Sequence, residues 1–158
     1  MSAPILMKPH HMIDILVQFG NGEAFVPHPY GHAVHSVAER VLGNPDLVLQ
    51  MESGIDDICA PCIHNTDGVC DDTIDNSWRP QSPTSKNAWN LRVDERYYAK
   101  FGLKNGDQMT VRRFAEIVND LTLEDFDKTL YPELPPQWNS WKIKSLKKGI
   151  AKYLGQAE

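Results

Sequence analysis

The chain has 158 residues, 41% hydrophobic and 23% charged, the balance of one folded domain and not of a disordered or fibrous chain. Its net charge of −5 argues against a general nucleic-acid binder, which presents a basic face. No apolar run approaches the roughly 20 residues that cross a bilayer, and a start broken by Pro4 and Pro9 does not read as a secretory leader, so the expected address is the cytoplasm.

His10 to Phe19 reads as a short, mostly buried helix stopped at Gly20-Asn21-Gly22. Asp14 lies among its apolar residues and needs an outward position, a salt-bridge partner or a metal to offset its desolvation. Glu23 to Gly31, with Pro27 and Pro29, is a loop, and His32 to Leu42 is a helix whose core face carries Val34, Val37, Ala38 and Val41. His28, His32 and His35 gather at its start. With no acidic residue nearby to complete a ligand set, they read chiefly as ordinary core or surface histidines. After a turn at Gly43 to Asp46, Leu47, Leu49 and Met51 alternate as in a strand.

That strand feeds the stretch holding every cysteine of the chain, Cys59, Cys62 and Cys70. An odd count cannot pair completely within one chain, and in a reducing compartment clustered cysteines read as thiolate ligands. The C-x-x-C spacing lets two sulfurs grip one metal, and Cys70 returns after a turn at Asp67-Gly68. Three sulfurs are one short of a closed site, and the pattern does not choose between iron and zinc. The neighbouring Asp56, Asp57, Asp71 and Asp72 would repel an anionic cluster, so they are expected to face solvent or to act on something bound there.

Asp71 to Ser85 is an irregular polar excursion, followed by a helix from Lys86 to Phe101 that stops at Gly102. Leu103 to Met109 is a turn, Thr110 caps a helix from Val111 to Leu121, and Thr122 to Asp125 forms a capping box for a short helix reaching Leu130. A last helix from Gln137 to Leu154 has a basic outer face of lysines, read first as a solvated surface. The fold expected is a mainly helical α+β single domain with a small sheet. Residues 1–121 form the metal-binding part, and 122–158 a helical C-terminal extension packed on it.

Asp56 to Cys62, Gly68-Val69-Cys70, Lys8-Pro9-His10-His11 and Phe101 to Asp107 together resemble domain-of-unknown-function family 1284, small bacterial and archaeal proteins regarded as iron–sulfur binders. The resemblance covers about Lys8 to Val118. The family's opening motif is Pro-His-His, two apolar residues, then Cys; in this chain Asp14 stands at the cysteine. The resemblance therefore implies a cluster held by Cys59, Cys62, Cys70 and Asp14, with His64 as the alternative fourth ligand if Asp14 points away. It implies 4Fe-4S ahead of 2Fe-2S, with zinc as the alternative metal. His10 and His11 become candidate catalytic or ligand-orienting residues, against the plainer reading that one caps the helix and the other packs on the core.

Three functions follow: electron transfer to a redox partner protein; a non-redox enzyme of lyase or desulfidase type acting on a small-molecule substrate at an open iron; and a structural zinc protein. No membrane partner is expected, and the Trp138 and Trp141 segment is a candidate contact for a homo-oligomer.

Overall fold

The computed structural model describes residues 3–157. Three short strands form the main sheet in the order β1 (Ile5–Met7), β2 (Val48–Met51) and β5 (Gln108–Thr110). β1 runs parallel to β2, with Ile5 opposite Leu49 and Met7 opposite Met51. The crossover between them is α1 (Pro9–Gly20) and α2 (Val34–Gly43), the helical connection that parallel strands require. β5 closes the other edge antiparallel, Met109 opposite Leu49. Ile5, Met7, Leu49 and Met51 all face the core, one side of the pleat. β3 (Asn65–Thr66) and β4 (Val69–Cys70) form a separate hairpin, so the architecture is α+β, mainly helical, in one compact domain.

The stop at Gly102 and the caps at Thr110 and Thr122 read from sequence are present, and Ser85 adds a cap that was not expected. The Ser85 hydroxyl accepts from the Ala88 amide at the start of α3 (Lys86–Phe101), which ends on Gly102 at φ 68°. Thr110 accepts from Arg113 at the start of α4 (Val111–Val118). Thr122 and Asp125 make a reciprocal capping box on α5 (Leu123–Asp125). Several extents differ from expectation: α2 starts at Val34, two residues late, α4 stops at Val118, three residues early, the last helix runs three residues further, to Ala157, and after Asp125 the backbone widens into a π-helical turn over Phe126–Leu130. β1 and β5 were not expected, because three residues between prolines, or beside an Asn-Gly turn, carry no periodic signal.

The largest packing partner of α1 is α6 (Pro136–Ala157). The two backbones approach so closely that a Cβ on Gly149 would collide with the Leu16 carbonyl oxygen, and one on Gly20 with the Ser145 carbonyl oxygen. The Tyr153 hydroxyl donates to the Val41 carbonyl at 2.7 Å, and Ile143, Leu146 and Ile150 are buried in the common core. The C-terminal segment is thus part of the domain's interior packing. Among the described residues no helix is long and apolar enough to cross a membrane.

Candidate functional site

Pro9 opens α1, and Lys8, at its N-cap, has no side chain able to accept the free amides of the first turn. Two carboxylates from distant parts of the chain fill that role. The Lys8 amide donates to Asp56 Oδ2 at 2.8 Å, and the His10 amide donates to Asp94 Oδ1 at 2.9 Å. Both carboxylates are 1% exposed, and each also holds an imidazole. His10 Nδ1 lies 2.8 Å from Asp94 Oδ2, and His11 Nδ1 lies 2.7 Å from Asp56 Oδ2. With Nδ1 turned to a carboxylate, Nε2 is left for another partner, the arrangement that orients metal-binding histidines.

Asp56 also accepts from the Cys59 amide, at 3.0 Å on Oδ1, so one buried carboxylate joins α1, a histidine and the cysteine loop. Burial alone would push the His11 imidazole down and the Asp56 carboxyl up. Their mutual attraction and hydrogen bond, together with the nearby Cys59 sulfur for His11 and the backbone donors for Asp56, outweigh it. His11 is raised to about 10, so a metal at its Nε2 would have to displace a proton, and Asp56 is held well below the ordinary carboxylate range. Asp57 is used structurally too, its carboxylate accepting the Leu6 amide at 2.9 Å. Neither Asp56 nor Asp57 matches the expectation of acids facing solvent: an N-terminal strand and helix with unpaired amides draw both inward.

His11 Nε2 lies 3.9 Å from Cys59 Sγ. Among the described residues, His11, Asp56 and Cys59 are the group whose ligand atoms all fall within 4.8 Å of one another. All three cysteines are free, partly exposed thiols and line one cavity of about 110 Å³ with His11, His32 and His64. The tight hairpin, with Asp67 at φ 51° and Gly68 at φ 84°, places Cys70 opposite Asn65. Asn65 is itself tied to Cys62 through its amide at 3.0 Å. His64 is held by Asp71 at 2.8 Å, and its backbone amide donates to Cys62 Sγ at 3.5 Å. His32 stacks on His28 at 4.3 Å between centroids, and its Nδ1 is buried without a partner among the described residues. Burial, then the nearby His28, holds the His32 imidazole below its usual value, keeping it in the neutral form that binds metals.

Asp14 is placed differently. Its carboxylate pairs with Lys142 Nζ of α6 at 2.8 Å, and Asp14 is not among the residues lining the cysteine cavity. The neighbour of the thiols on α1 is His11, one turn earlier. Two partners were missed from the sequence, Asp94 and Lys142, and a third, His32, was read chiefly as an ordinary histidine with no signal tying it to the cysteines. Asp94 had a signal, since it lies on the same helical stripe as the buried Asn90, Val93 and Tyr97 and so needed a buried partner. Lys142 lies likewise on the stripe of Asn139, Ile143 and Leu146. His32 had none.

Comparison with protein-family models, curated proteins and solved structures found no match to this chain.

Proposed function

We propose that this protein binds an iron–sulfur cluster, 4Fe-4S in type, through Cys59, Cys62 and Cys70, with His11 and not Asp14 at the fourth position, and passes electrons to a partner protein. The observation that carries the reading is the single cavity that all three thiols line together with His11, a histidine anchored by a buried carboxylate. The donor set suits the group, since thiolates are soft anionic ligands for iron, with imidazole also a known cluster ligand. The size suits it too. Two thiolates on one zinc ion stand about 3.8 Å apart at tetrahedral geometry; the three thiols here do not all lie within 4.8 Å of one another, while His11 Nε2 and Cys59 Sγ, 3.9 Å apart, are at the one-ion spacing. A cavity of about 110 Å³ also exceeds the roughly 30 Å³ share of one water several times over, leaving room for a multi-atom group.

When bound, the cluster would supply one-electron redox chemistry. The chain's own part is to hold it near the surface. Ile63 and Val69, beside Cys62 and Cys70, are 66% and 51% exposed, apolar side chains at the outer rim where a partner would dock. Asp56 would keep the His11 ring turned, and His64 is braced by Asp71.

Anaerobic purification followed by a visible spectrum and assays of iron and acid-labile sulfide tests the reading. Brown protein whose iron and sulfide fall together in Cys59→Ser, Cys62→Ser and Cys70→Ser supports it. Colourless protein carrying one zinc refutes it and returns the site to a structural role.

A further inference from the structure

A second cavity, of about 270 Å³, lies on the other side of His11, between the start of α1, the 74–79 loop, α3 and the Tyr131–Trp138 segment. It shares His11, Lys86 and Asn90 with the cysteine cavity. We propose that it is a binding site for a small aromatic carboxylate, with the carboxylate on Arg79 and the ring against the faces of Trp89, Tyr131 and Trp138.

Charge points to an anion. The chain carries a net −5, yet this cavity is lined by three cations, Arg79, Lys86 and Lys142, against one carboxylate, Asp14. A concave site walled by one sign of charge concentrates the opposite sign. Asp14 is already used by Lys142 at 2.8 Å, and Lys86 is loosely paired with Asp72 at 3.4 Å. Arg79 differs from both: its Nε makes a long 3.4 Å bond to the Asp75 carbonyl, and among the described residues its guanidinium makes no ion pair. The group is nevertheless held in place, 4.7 Å from the Trp78 ring centroid and 5.4 Å from that of Trp89. A guanidinium fixed against indoles, with its two terminal nitrogens making no hydrogen bond among the described residues, is a preorganised receptor for a carboxylate, which it takes bidentately.

The remaining walls choose the body of the ligand. Tyr131 and Trp138 pack 5.3 Å apart, edge to face, and Lys142 Nζ rests over both rings at 4.9 and 4.8 Å. The ammonium and its Asp14 partner thereby hold an aromatic wall in a fixed pose. Ile74, Val93 and Leu134 complete an apolar lining. The volume lies just under the roughly 300–1,000 Å³ of drug-sized pockets, which suits a single ring with a short acidic arm. The inference does not rest on what the cysteines hold, and its test needs no metal assay.

Titration of the full-length protein with benzoate, followed by tryptophan fluorescence and calorimetry, decides it. Benzoate should quench saturably through Trp89 and Trp138. Benzamide, its uncharged counterpart, and acetate, an anion with no ring, should each bind roughly ten- to a hundredfold more weakly, as expected for the loss of one charge-assisted bond or of ring burial. Arg79→Met, a change in a partly exposed loop, should weaken benzoate by the same factor while the thermal melt is unchanged. Absence of saturable benzoate binding, benzamide binding as well as benzoate, or benzoate affinity unaltered by Arg79→Met would each overturn the assignment.

Discussion

Asp14→Asn separates a structural from a metal-binding role for the one carboxylate of α1. Asp14 Oδ1 sits 2.8 Å from Lys142 Nζ, and the lysine side chain is only 8% exposed while that of the aspartate is 48% exposed. Removing one partner of a fully buried pair costs about 3–5 kcal/mol because a charge is stranded. Here half of the pair is solvated, and the ammonium keeps two aromatic faces, so the expected loss is about 2 kcal/mol. For a chain of this length that lowers the thermal midpoint by roughly 4–8 °C. Lys142→Met removes the cation itself, so the double variant should be less destabilised than the sum of the singles by roughly 1 kcal/mol or more. Urea unfolding of the four proteins measures the cycle, and iron content is read on the same samples. Asp14→Asn that leaves stability within about 0.5 kcal/mol but empties the protein of iron would refute the ion-pair argument and restore Asp14 as a ligand.

Gly149→Ala should be among the most damaging single-methyl changes, at least about 3 kcal/mol, because the methyl meets the Leu16 carbonyl and Gly20, backbone that has no rotamer with which to yield; a melt displaced by under ~2 °C would contradict the close crossing. Glu133 takes Arg96 through both oxygens, at 2.8 and 2.7 Å, and Arg92 at 3.1 Å. Burial raises its carboxyl and the Arg96 contacts more than reverse that, leaving it below its ordinary 4.5. Its stabilisation is therefore fully present above pH ~4.5 and lost as pH falls through the folded value. Glu133→Gln should cost about 2 kcal/mol at neutral pH and flatten the decline of the urea midpoint between pH 5 and 3, and an unchanged acid limb would count against it. Asp56→Asn should lower retained iron roughly 10–100-fold, as loss of an orienting carboxylate does, while Asp94→Asn should leave iron unchanged, because His10 does not line the cysteine cavity; equal losses in the two would show that they act through folding alone.

What could be read from sequence divides by range. The caps at Thr110 and Thr122 are decided by neighbours three residues away, and both were legible. So was the gathering of Cys59, Cys62 and Cys70, whose hairpin is set by the positive-φ pair Asp67-Gly68. Asp56, Asp94 and Lys142 were not, since their partners lie 45, 84 and 128 positions away. What chemistry required could be stated, namely that Asp14 needed a partner. Which partner it took depended on how α6 crosses α1, and that crossing is decided by two glycines whose role shows only when both helices are in place. The expected metal ligand and the observed ion pair answer the same desolvation cost.

This links Asp14 to the C-terminal segment. Lys142 is buried against Tyr131 and Trp138, and a buried ammonium needs a carboxylate within reach. A cysteine at position 14, neutral as a thiol, would leave that lysine without its anion. Asp14 and residues 122–158 therefore form one physical unit: the extension brings the cation, and α1 brings the charge that lets it be buried. His11, held by Asp56 one turn earlier on the same helix, is the α1 residue whose Nε2 faces Cys59. The carboxylate at position 14 therefore belongs to the packing of α6 on α1, and the α1 side chain beside the thiols is His11, three residues earlier.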